Sequence, residues 1–204
     1  MPEFFHVNRT VQNPHEALRE DDVVETSDTE FNPYYQGQLN AAKTIDFPDA
    51  KYSLLSFFNE ISKGTFLQHP ALTQPVVGHF AQKSLEPYVN LVRELHFENV
   101  RREQFPSLPS RLHCVWLAKD LDDGRQWHEK LGYANDSQLL RVEVEQEVFT
   151  TNDWFLNNEA ETYYATMENA RNYWSSASGN GHAEHLYMGK MKVLEVVSTT
   201  HAGG

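Results

Sequence analysis

Leu140, Val142 and Val144 alternate with Arg141, Glu143 and Glu145 inside residues 139–149. A period of two puts the aliphatic side chains on one face of a strand and the charges on the other. Strands of parallel sheets are covered on both faces and lose this alternation, so the pattern predicts an antiparallel sheet with one wet side. Such a strand needs partners elsewhere in the chain and an apolar layer over its dry face.

The rest of the chain supplies both. Phe4 to Val7 is aromatic and β-branched and reads as a short strand, and Leu112 to Leu117 is an apolar, strand-like run. Lys192 to Val197 reads as a final strand. Residues 15–40 are polar and aperiodic, with Asn32-Pro33 and Gly37 as turn signals, and read as a long loop. Leu54, Leu55, Phe58 and Ile61 recur at helical spacing over 51–62, and Gly64 is placed to end that helix. Residues 75–104 carry a stripe of Val89, Val92 and Leu95, with Pro87 predicting a kink or two helices. Asp120 to Leu131 reads as a helix with an acidic start and Gly132 beyond its end. A further helix is expected over 157–175. The order predicts an α+β fold in one domain, residues 1–204, with a mainly antiparallel sheet and a helical insert at 45–105.

Charge narrows the functional classes. The net charge is −12, concentrated at the two ends: residues 1–50 carry 10 acidic and 3 basic side chains, and residues 142–204 carry 9 and 3. That field opposes non-specific nucleic-acid binding. Arg93, Arg101, Arg102, Arg111, Arg125 and Arg141 fall in the neutral middle, where a local basic groove is still open. No apolar run approaches the roughly 20 residues of a membrane span. One cysteine, Cys114, and no secretory pattern at Met1 to His6 predict a reducing cytoplasm.

Three segments carry a resemblance. Phe4-Phe5-His6-Val7-Asn8-Arg9 reads as a strand ending in histidine near the start of the domain. Pro109-Ser110-Arg111-Leu112-His113-Cys114-Val115-Trp116 leads into a strand and then a helix with Gln126-Trp127-His128. Ala183-Glu184-His185-Leu186-Tyr187-Met188-Gly189 is a glutamate opening a strand, followed by a glycine turn and a last strand. In this order they resemble the ADP-ribosyltransferase superfamily, the branch with a histidine, an aromatic residue and a glutamate. The match covers residues 1–10 and 107–200; residues 45–105 match no motif.

The resemblance implies a split, strongly twisted sheet and an enzyme that cleaves NAD at its nicotinamide bond and passes ADP-ribose to a protein or nucleic-acid acceptor, RNA among them. It implies that His6 holds the adenosine-side ribose, with Val7 or Asn8 giving a backbone contact to the nicotinamide amide. Trp127, where the family has tyrosine, would stack on nicotinamide, and Tyr133 or Phe149 would be the substitutes. Arg111 or Arg9 would meet the pyrophosphate, and Ser110 the nicotinamide ribose. Glu184 would be the catalytic carboxylate, since leaving nicotinamide makes the ribose oxocarbenium-like. The resemblance extends to bacterial relatives that act as toxins in toxin–antitoxin or phage-defence systems, which implies a neutralising antitoxin partner.

Rival readings are fewer. His182 and His185 stand three apart, with His113 and His128 available, but no His-Glu-x-x-His, cysteine pair or carboxylate cluster supports a metal site, and none is expected. Cys114 lies in an apolar strand, where a thiol is inert. A non-catalytic module that docks a partner through Phe57, Phe58 and Phe66 is the reading from a different class. NAD-dependent RNA 2′-phosphotransfer is the enzymatic alternative, and its arginine set does not map onto this chain.

Overall fold

In the computed structural model, the described residues are 2–10, 17–26, 28–40, 44–47, 50–66, 69, 71–131, 136–157 and 162–197. Gly132 and Tyr133 lie outside them. The chain divides into two compact units, Met1–Gly37 with Arg93–Gly204, and Gln38–Val92.

The larger unit is built on two antiparallel sheets. The alternating segment becomes two strands: β6 (Ser137–Val144) is in one sheet, and Phe149 already begins β7 (Phe149–Asn152) in the other. β6 pairs with β1 (Glu3–Arg9) and with β9 (Lys190–Val197), and β2 (Val23–Glu25) completes the order β1-β6-β9-β2. The second sheet is β5-β8-β7, from β5 (Val115–Leu117) and β8 (Ala183–Tyr187). Phe5 and Ala118 exchange backbone hydrogen bonds of 2.8 and 2.7 Å, joining β1 to the end of β5. Leu140, Val142, Val144, Met191 and Val193 of the first sheet pack with Leu117 and Tyr187 of the second, so the dry face predicted for 139–149 is covered. The fold is α+β, with a helical insert.

Helices cover the other face of the second sheet. Phe97 and Val100 from α3 (Gln74–Gln104) and Ala170, Tyr173 and Trp174 from α5 (Tyr163–Trp174) pack with Leu186 and Cys114. Residues 93–104 therefore belong to the core of the larger unit, and the insert predicted at 45–105 is the compact stretch 38–92. α3 runs through Pro87 as one helix rather than ending there. The last part of the predicted loop 15–40 is a helix, α1 (Pro33–Asn40): Asn32 accepts from the Tyr35 amide at 3.2 Å, and Pro33 sits at the first helical position, where no amide donor is needed. Val23–Glu25, also within that stretch, is recruited as an edge strand by β9.

The smaller unit has its own core. β3 (Thr44–Asp46) and β4 (Lys51–Ser53) form a hairpin followed by α2 (Leu54–Ser62), whose N-terminus is capped by Ser53. Gly64, at φ +81°, takes the left-handed position that ends the helix, as its sequence position predicts. Phe57 is fully buried among Phe47, Phe58, Phe66 and Phe80. The rings expected to dock a partner thus pack on one another.

Two helical glycines separate propensity from packing. A Cβ on Gly124 of α4 (Leu121–Lys130) would sit 3.0 Å from the Phe5 Cβ and 3.1 Å from Leu139 Cδ1, whereas a Cβ on Gly78 of α3 meets nothing within 4 Å. Gly78→Ala should stabilise by about 0.5–1 kcal/mol through helix propensity. Gly124→Ala should instead destabilise by about 1–3 kcal/mol, because the Phe5 Cβ cannot rotate away. Chemical denaturation of both variants checks the sign, and equal shifts would refute the packing assignment.

Candidate functional site

Glu184 is the second residue of β8 and faces the helices. Strand alternation puts Glu184 and Leu186 on that side, and His185 and Tyr187 toward the other sheet. Glu94 lies three residues before Phe97 on α3 and so shares its inward face. Arg111 sits in the turn between α3 and β5, and Tyr173 on α5. Asn32 fixes the turn, donating from Nδ2 to the carbonyls of Arg111 and Cys114, each at 3.1 Å.

These elements converge on one guanidinium. Arg111 Nη1 donates to Glu184 Oε2 at 2.5 Å and to the Tyr173 phenol oxygen at 2.5 Å, and its Nε donates to Glu94 Oε2 at 2.8 Å. The Tyr173 hydroxyl donates to the same Glu184 Oε2 at 2.7 Å. Glu94 is held from its other side by Arg93 Nη2 at 2.8 Å, and Arg93 Nη1 donates to the Leu156 carbonyl at 2.6 Å. The guanidinium carbon lies 5.0 Å from the Tyr173 ring centre and 5.8 Å from that of Trp116, within cation–π range. Tyr34 and Tyr35 meet the Trp116 ring at 6.4 and 6.2 Å, and Tyr34 is exposed.

The charges balance, which makes the cluster tolerable. Two arginines face two carboxylates. Burial pushes the Glu94 carboxyl up, but the Arg111 and Arg93 guanidiniums outweigh it and hold it below the ordinary value. Burial also disfavours charge on Arg111, and Glu184 and Glu94 outweigh it, so the guanidinium stays charged. Burial raises the phenols of Tyr35 and Tyr173, which keep their protons. Glu184 is the more exposed of the two carboxylates: its side chain keeps 9% of its surface exposed, against 0% for Glu94. Its Oε1 has no hydrogen-bond partner among the described residues.

The model of the family described as Protein of unknown function (DUF2441) matches residues 4–199. The chain belongs to that family. No curated protein matches it. Among the described residues no helix is long and apolar enough to cross a membrane.

The residues singled out from sequence fall in three places. Glu184 and Arg111 are in direct contact, but Arg111 is buried and its donors face Glu94, Glu184 and Tyr173, so it is not the exposed pyrophosphate partner the sequence suggests. Ser110 is buried too, with its hydroxyl donating to Glu98 at 2.8 Å rather than open to a ribose. His6 is half-buried on β1, its Nδ1 2.9 Å from the Trp116 carbonyl. Val7 and Arg9 flank Asn8 on that strand; Asn8 is buried and donates to Gln138, which in turn binds the backbone of Leu18. Trp127 makes no ring or cation contact with Arg111 or Glu184 among the described residues. Its described neighbours are the Lys130 ammonium, 4.4 Å from the ring, and His182, at 6.4 Å, in a shallow groove with Asp123 and Gln126.

Trp116, from the strand rather than the helix of the second motif, is the tryptophan beside the Arg111–Glu184 pair. Phe149 stacks on Trp174 inside the core. Glu94 and Tyr173 carried no sequence signal beyond helical spacing. Among the described residues no three side chains of metal-ligating type converge.

Two neighbouring groups are testable. Burial pushes the Cys114 thiol well above its ordinary value. The native protein should therefore resist iodoacetamide at pH 8 and react after unfolding, as read by mass spectrometry; rapid native labelling would refute the burial. On the opposite face of β8, His185 is buried with Nδ1 2.9 Å from the Thr150 hydroxyl. Among the described residues its Nε2 has no hydrogen-bond partner. Burial lowers the His185 pKa, although Asp123 pulls it upward. The unfolded chain then binds the proton more readily, so His185 costs stability as pH falls below about 6.5. Tm should drop between pH 7 and 5, and His185→Gln should flatten that drop; an unchanged slope would assign it elsewhere.

Proposed function

We propose that the protein cleaves NAD at the nicotinamide–ribose bond and transfers ADP-ribose to a macromolecular acceptor, protein or nucleic acid. The observation that carries this reading is the state of Glu184. One carboxylate oxygen is clamped by Arg111 and Tyr173, while the other has no partner among the described residues. A carboxylate so arranged can accept the ribose 2′-hydroxyl through Oε1 and stabilise the positive charge that grows as nicotinamide departs. Holding it in place beforehand removes the reorganisation that a mobile side chain would need.

The remaining roles follow the resemblance, adjusted to the geometry. His6 binds the adenosine-side ribose, with the Val7–Asn8 backbone at the nicotinamide amide and Arg9 at the pyrophosphate. Nicotinamide stacks on Trp116, because the Trp116 ring lies beside the Arg111 guanidinium that holds Glu184, and the described contacts of Trp127 are with Lys130 and His182. The cytoplasm is the expected site of action, and a bacterial toxin or phage-defence role with an antitoxin partner accords with the resemblance. The described contacts of Trp127, which are with Lys130 and His182 rather than with Arg111 or Glu184, favour one second reading, a non-catalytic binding module.

Nicotinamide release from NAD by the purified protein separates the two, measured with and without total cellular RNA and protein. Glu184→Gln should keep NAD affinity while kcat falls about a hundredfold to a thousandfold, since the amide keeps the shape but loses the charge that stabilises the transition state. The lost partner of Arg111 reads separately as a lower Tm. Release that is equal in parent and variant would remove Glu184 from the chemistry. No release under any condition would favour the module.

A further inference from the structure

We infer that Tyr173 and Glu94 are positioning residues that hold Glu184 in one orientation, with Oε2 fixed and Oε1 presented; this rests on the proposed role of Glu184. A glutamate near the start of a strand has three side-chain torsions free to vary. Here two donors, the Arg111 Nη1 and the Tyr173 hydroxyl, meet on a single oxygen at 2.5 and 2.7 Å and fix the carboxylate plane. Neither donor is itself free to drift. Arg111 is anchored through Nε by Glu94, through its carbonyl by Asn32, and between the Trp116 and Tyr173 rings. Tyr173 packs against Phe97 and Trp174, and its carbonyl accepts from the Thr151 hydroxyl at 2.6 Å.

Stability alone does not account for this arrangement. Glu94 has a fully buried side chain beside Phe97 and Val100. Buried ion networks can often be replaced by apolar side chains with no loss of stability. What an apolar core cannot supply is a carboxylate aimed in advance by fixed donors, which is the form of electrostatic help a cationic transition state uses. Glu94 thus acts through Arg111, and Tyr173 directly on Oε2; neither is placed against the substrate.

Tyr173→Phe tests this with the least disturbance, because the ring and its packing stay. Nicotinamide release should fall on the order of a hundredfold in kcat, with the KM for NAD and the Tm close to the parent. In the Glu184→Gln background, Tyr173→Phe should cost nothing more, because it acts only through that carboxylate. Glu94→Gln should lower kcat in the same sense, and Glu94→Asp should recover part of it; if Glu94→Gln does not fold, the Tyr173 series still decides. Parental kcat in Tyr173→Phe, or an additive loss in the double variant, would overturn the positioning role while leaving the NAD reading intact. A parent protein that releases no nicotinamide overturns both.

Discussion

The Arg111 guanidinium is where the larger unit is tied together. Its hydrogen bonds reach α3 through Glu94, α5 through Tyr173 and β8 through Glu184, while its own carbonyl is held by Asn32 at the start of α1. The cluster is tolerated because two carboxylates oppose two arginines and because each charge is hydrogen-bonded. Removing one member would leave a buried charge uncompensated, at a cost of about 3–5 kcal/mol. Its integrity is therefore a condition for the surrounding core, and its more exposed carboxylate inherits that rigidity.

The same constraint explains which parts of the protein were legible in its sequence. Leu140, Val142 and Val144 announced their sheet because a strand with one wet face leaves a period-two record. The segment's division into β6 and β7 left no such record, since Phe149 looks like a continuation until the partner strands are known. Gly64 was legible because a left-handed residue after a helix is locally determined. Pro87 left two readings open, a kink or two helices, and the structure has one helix, because a proline within a long helix removes one amide donor and need not end it. Asn32-Pro33 was read as a turn, although an asparagine cap with proline at the first helical position starts a helix equally well. Val23–Glu25 could not be read locally, because an edge strand of three residues exists only by pairing with β9.

For the candidate site, the line runs between motif and contact. Glu184 and Arg111 stood out by their places in motifs, and the structure brings them together. Glu94 and Tyr173 are a glutamate and a tyrosine at ordinary helical positions; only the packing of two helices on one sheet face reveals what they touch. The two tryptophans divide differently. Trp127 lies in the helix where the resemblance looks for an aromatic ring, yet α4 packs through Gly124 on Phe5 and Leu139, and its tryptophan lies with Lys130 and His182. Trp116 looks like one more apolar strand residue, but it is the ring beside the guanidinium.

β8 shows how one short strand can serve two environments. Glu184 and His185 are consecutive, so the pleat sends them to opposite faces. On the helix face, Glu184 meets the Arg111 guanidinium and the Tyr173 hydroxyl, both donating to Oε2. On the face between the sheets, His185 is packed near Phe4, with burial favouring the neutral ring. Shifting the strand by one residue would put the histidine beside Arg111 and the carboxylate among apolar side chains, and both exchanges are unfavourable. Register here is thus set by charge as well as by hydrophobic pattern. The more exposed carboxylate of the cluster is held to its place by a strand that cannot slip without burying it unpaired.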